Sequence, residues 1–194
     1  MTSTPHATLG TSGGRRPGGW PLFGVVIAGA LIAVSLGVYA RTHPPARRET
    51  LQLFFTGTLP FKAWTTTLIL ALAIFQLVTA LRMYGRLRPR RALPEWVGPA
   101  HRLSGTVAFI VSLPVAFHCL WSIGVTPVAD LRAIVHAVLG CMFYGAIVIK
   151  VAAVRSPGLP AWVLPVVGGT VFTTLVGIWL TSSLWFFTTV GVMW

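Results

Sequence analysis

Acidic residues are nearly missing from this chain: its 194 residues include only Glu49, Glu95 and Asp130, against fifteen Lys or Arg, for a formal charge of +12. Hydrolysis by paired carboxylates has nothing to use, since Glu95 stands beside Trp96 in a loop and Asp130 at a helix start. Charge of either sign is scarce. Charged residues make up 9% of the chain, roughly a third of a soluble domain's share, which excludes an ordinary cytosolic protein. Cysteine is limited to Cys119 and Cys141, inside apolar runs and without CxxC or zinc-type spacing, so both read as reduced packing residues. Neither GxxxxGK[ST] nor GxGxxG occurs between a strand and a helix, and nucleotide chemistry is unsupported.

What the chain has is apolar length. Hydrophobic residues are 55% of it. They gather in five runs, about 21–40, 64–83, 103–124, 130–153 and 161–188, each at or above the roughly 20 residues that cross a bilayer as a helix. In a soluble chain the charge would suggest nucleic acid. Here the basic residues lie between apolar runs, so the expected partner is the lipid bilayer and not nucleic acid. The expected fold is all-α and integral to the membrane, with five transmembrane helices, the last four as an up-down bundle. Residues 1–20, rich in Gly, Ser, Thr and Pro, read as a disordered cytoplasmic tail. Residues 21–40 form a first anchor, 41–63 an external basic and aromatic loop, 64–188 a four-helix core and 189–194 an external tail. The first run also resembles a secretory signal, with Arg15-Arg16 before it and Val38-Tyr39-Ala40 after it, but its apolar stretch is longer than such signals use.

Basic residues set the expected orientation in the plasma membrane, because cytoplasmic loops hold the excess of Lys and Arg. Arg82, Arg86, Arg88, Arg90, Arg91 and Arg102 lie between runs two and three, against Arg132 alone between three and four. With the amino terminus inside, ten cations fall on the cytoplasmic side and five outside, and the carboxyl terminus is external. The first outer loop is an exception, with Arg41, Arg47, Arg48 and Lys62 opposed only by Glu49. It reads as an interfacial collar or as a dock for an acidic extracytoplasmic partner.

Five histidines occur. His6 and His43 fall in tail and loop, whereas His101, His118 and His136 lie in or at the edge of spans, where an ionisable side chain is a functional candidate by default. At 1.5 Å per helical residue, His118 lies roughly 7–8 Å below the outer surface and His136 roughly 9 Å below it. Two imidazoles at one height on antiparallel helices meet the condition for axial ligation of one haem, so both are candidate iron ligands. An interhelical hydrogen-bonding role is the alternative. His101, about 25 Å from His118 along the axis, cannot share that iron; it is a candidate for a second haem, for a quinone head group or for water contact. Gly105 and Gly140 each follow a histidine by four residues, on the same helix face, and leave room for a porphyrin. Pro114, four before His118, is expected to bend its helix. Arg102 and Lys150 approach the cytoplasmic side from opposite helices, as snorkelling cations or as partners for propionates or a quinone.

The segment Ala100-His101-Arg102-Leu103-Ser104-Gly105 resembles the His-basic-x-x-Gly signature of b561-type membrane cytochromes. His136 followed by Phe143-Tyr144-Gly145 is similar to the later His-and-aromatic helix of those proteins and of ferric-reductase-like membrane domains. The whole chain is also similar to an uncharacterised five-span family of actinobacterial membrane proteins. The cytochrome resemblance covers residues 64–188 and implies haem b, with electron transfer from a quinol pool or partner subunit to an extracytoplasmic acceptor. It implies one complete bis-histidine site, because diheme members use four histidines on four helices and this chain has three on two. Consecutive helices 8–10 Å apart leave little space for a porphyrin, so a diagonal arrangement or a splayed outer end is required. The reading from another class is a haem-free accessory or assembly subunit of a larger respiratory or transport complex.

Overall fold

In the computed structural model, the described residues are 19–44, 46, 52–87, 91–124 and 130–193. The expected tail through residue 18, Arg47, Arg48, Glu49, Arg88, Arg90 and Trp194 lie outside them. Among the described residues every regular element is a helix: α1 (Gly19–Thr42), α2 (Thr58–Met83), α3 (Val97–Phe117), α4 (Leu131–Arg155), α5 (Val163–Trp179) and a short α6 (Trp185–Thr189). Two wider π turns interrupt the pattern, His118–Ile123 continuing α3 and Leu180–Leu184 joining α5 to α6. Among the described residues, five helices are long and apolar enough to cross a membrane.

Proline placement explains where four of these helices start. Pro21, Pro60, Pro99 and Pro165 are each the third residue of a helix, where the backbone N–H would have no partner within the helix and its loss costs nothing. For this reason α2 begins at Thr58 and not near residue 64, and α3 at Val97 and not near 103; the aromatic collar is partly helix. α4 starts differently. Asp130 caps it by accepting a 2.7 Å hydrogen bond from the Ala133 N–H.

The helices pack in the order α1–α4–α5–α2–α3. The last four form the expected bundle, with the consecutive helices α3 and α4 set apart. Side chains span the gap, Tyr144 placing its hydroxyl 3.0 Å from the Ser112 carbonyl. At the end of the bundle where α4 starts, α1 closes the gap by touching the π turn after α3, where the Ala46 N–H donates to the Trp121 carbonyl. The first helix is thus a wall of the bundle and more than an added anchor. Its seam with α4 depends on glycine: a β-carbon on Gly29 would lie 2.6 Å from the Gly145 carbonyl oxygen, and one on Gly145 would lie 2.7 Å from that of Gly29.

Apolar packing gathers in two places. Val25, Ala153 and Val163 join α1, α4 and the start of α5 at one end. Nearer the middle, Ile69, Phe143 and Leu175 join α2, α4 and α5, with Val111 and Val115 of α3 against them. Large apolar side chains such as Leu31, Leu68, Leu103, Ile110, Val138 and Val166 face outward, as a helix surrounded by acyl chains requires.

Candidate functional site

A cavity of about 560 Å³ lies among the five helices, toward the end where α4 starts, within the roughly 300–1,000 Å³ of typical small-molecule sites. Its walls come from every long helix, among them Leu36 and Ala40 of α1, Thr66 of α2, Ser112 and Cys119 of the third span, His136 and Gly140 of α4 and Ser182 after α5. The separation of α3 from α4 creates this space. A β-carbon on Gly140 would meet nothing within 4 Å, so that stretch of α4 stays open to the cavity.

His136 stands on the cavity wall. Its Nδ1 is 3.1 Å from the Thr181 hydroxyl, which donates its own proton to the Gly177 carbonyl at 2.7 Å. Nδ1 therefore carries the ring proton and donates, which leaves Nε2 to accept from the Cys119 thiol. Facing Nε2 at 3.9 Å is the sulfur of Cys119. Lys62 reaches the same sulfur from α2. Arg132, one turn before His136, donates to the Thr181 carbonyl at 2.8 Å, lies 3.6 Å from Asp130 and stacks 3.9 Å from the Trp185 ring centroid. α4 and the second π turn are thereby fastened together beside the histidine.

His118 is fully buried but is not among the cavity walls. Its ring packs against Phe61 and Phe117, with centroids 5.7 and 5.8 Å away. Nδ1 donates to the Pro114 carbonyl at 2.8 Å, while Nε2 has no hydrogen-bond partner. The heights match as the sequence arithmetic requires, since residue 119 meets residue 136, but the side chain turned toward His136 is that of Cys119. Neighbouring residues on a helix point about 100° apart, so with Cys119 turned inward His118 faces α2.

His101, Arg102, Gly105 and Lys150 are not cavity walls and lie toward the opposite end. His101 Nδ1 is 2.8 Å from the Thr79 hydroxyl, which donates to the Phe75 carbonyl. The Gln76 amide donates to the His101 carbonyl and, at 2.6 Å, to the Ser104 hydroxyl. A β-carbon on Gly105 would lie 3.1 Å from Gln76 Oε1, so the space beside Gly105 holds the Gln76 side chain. Arg102 is exposed and Lys150 half-buried.

Sequence reasoning missed Cys119, Lys62, Arg132 and Thr181. The depth arithmetic that singled out His118 and His136 would have flagged Cys119 equally, had free cysteine not been set aside as packing. Among the described residues no cluster of three or more His, Cys, Asp or Glu could hold a bare metal ion. A haem iron, with four porphyrin nitrogens of its own, needs only one or two protein ligands.

The model of a family of unknown function, DUF6529, matches residues 22–194. No curated protein and no solved structure matches.

Proposed function

The chain belongs to the DUF6529 family, whose function is unknown, and we propose that it is a membrane cytochrome carrying one b-type haem in the cavity. The observation that carries this reading is His136: a histidine on the wall of a 560 Å³ intramembrane cavity, its Nδ1 held by Thr181 and its Nε2 turned toward Cys119 on the same wall. Ligating histidines characteristically donate their other ring N–H, which fixes the tautomer and the ring direction. His118 has the same polarity, with Nδ1 donating to a carbonyl and a buried Nε2 unused. It is the second imidazole of the bis-histidine form of the proposal, which requires its ring to leave Phe61 for the cavity.

Haem would supply one-electron redox chemistry; the protein supplies ligands, depth and a dry pocket. The basic-residue count supports a cytoplasmic amino terminus, and with that orientation His136 lies toward the outer leaflet. From there electrons received from quinol or a partner subunit pass to an extracytoplasmic acceptor. The test is an optical spectrum of purified protein, oxidised and then reduced with dithionite. A sharp b-type band is expected on reduction, lost in His136→Ala and kept in His6→Ala. Pure protein without such absorbance overturns the reading and favours a haem-free accessory subunit of a larger membrane complex.

A further inference from the structure

Resting on the haem reading above, we infer that the iron ligand opposite His136 is the sulfur of Cys119 and not the imidazole of His118. Two donors on opposite faces of one porphyrin must point at each other across the iron. With bond lengths like those of zinc, about 2.0 Å to imidazole nitrogen and about 2.3 Å to thiolate sulfur, their separation is roughly 4.3 Å. Cys119 Sγ and His136 Nε2 already stand 3.9 Å apart, so an opening of a few tenths of an ångström admits the iron between them. Both line the cavity described above. His118 does not line it, and both of its neighbours in ring contact are aromatic.

The surroundings of the sulfur fit a metal-bound thiolate. The basic side chain of Lys62 lines the same cavity, and cysteine beside a cation favours the thiolate form that ligates metals. Seating ferric haem forms one Fe–N bond to His136 and one Fe–S bond to Cys119. The thiol proton leaves to solvent, and no electron is exchanged. His118 then acts as a positioning residue: packed between Phe61 and Phe117 and tied to Pro114, it sets the rotation of the helix that turns Cys119 inward.

The test uses the full chain purified with its haem. Electron paramagnetic resonance of the ferric protein and sulfur K-edge absorption are expected to show an iron–thiolate bond in the wild type. That signature is lost completely in Cys119→Ala and retained in His118→Gln, and the midpoint potential of Cys119→Ala rises, because a thiolate favours ferric iron. A haem-loaded wild type with a bis-imidazole signature, altered by His118→Gln and untouched by Cys119→Ala, overturns the inference and leaves the haem reading standing. A wild type that binds no haem overturns both. The wild-type spectra decide the matter even if Cys119→Ala fails to fold.

Discussion

The two ends of the bundle use their polar atoms differently. At the end holding His101, the helices are regular and the polar side chains serve one another: His101 with Thr79, and Gln76 with Ser104 and the His101 backbone. At the end holding His118 and His136 lie, among the described residues, both π turns and the buried side-chain polar atoms without a partner, Thr58 Oγ1, His118 Nε2 and Ser183 Oγ. Buried polar atoms are ordinarily paired, and π turns concentrate at functional sites. One end spends its polar groups on holding helices together, whereas the other, though Arg132 and His136 fasten α4 to the second π turn, leaves some of its buried polar atoms unmet. A membrane histidine is therefore better judged by the state of its second nitrogen than by its depth.

The largest expected effect comes from the seam that closes the cavity end. Gly145→Val would drive a side chain into the Gly29 carbonyl and Ala33, and backbone on the far side cannot yield as a flexible side chain would. Overpacking of this kind costs about 1–3 kcal/mol. Thermal unfolding in detergent should show the loss. Alkylation of Cys119 should become faster as α1 leaves the cavity wall, with the α2–α3 contact at the other end unaffected. An unchanged alkylation rate would show that α1 is only an anchor after all.

A smaller loss is expected from Gln76→Leu at the His101 end. The substitution removes the donor to the His101 carbonyl and to Ser104. Interhelical hydrogen bonds in membranes average about 0.6 kcal/mol and reach about 1.7 kcal/mol, so a loss of about 1 kcal/mol is expected in the same unfolding measurement. The spectrum of the haem-loaded protein should not move. A shifted spectrum would mean that the two ends are coupled and the contrast drawn between them is false.

How far the sequence discloses this arrangement depends on which physical variable is asked for. Apolar run length gives the five helices directly. It misplaces the starts of α2 and α3 by six residues each, because the collar before a span is both interfacial and helical, although Pro60 and Pro99 mark the true first turns. Rise per residue gives the common height of the His118–Cys119 pair and His136. Rotation about the axis is not legible, since the π turn beginning at His118 changes the angle per residue where it matters. The closing role of α1 is hidden for another reason: it needs Gly29 to meet Gly145, two glycines over a hundred residues apart with nothing local to pair them.

The smallest expected effect is the sharpest test of the contrast. Ser183 is fully buried in the second π turn, and its hydroxyl has no hydrogen-bond partner. Gln76 and Ser183 are both polar groups inside a membrane bundle, but removing the first leaves its partners unmet, whereas removing the second leaves nothing unmet and relieves a desolvation cost. Ser183→Ala should therefore change stability by no more than about 0.5 kcal/mol, the scale of a substitution that breaks no specific interaction, with a small gain as the favoured sign. Unfolding of the haem-free protein measures this directly. A loss above about 1 kcal/mol, as large as that expected of Gln76→Leu, would mean that the serine hydroxyl is bonded in the folded protein. Only Thr58 Oγ1 and His118 Nε2 would then set the cavity end apart from the other.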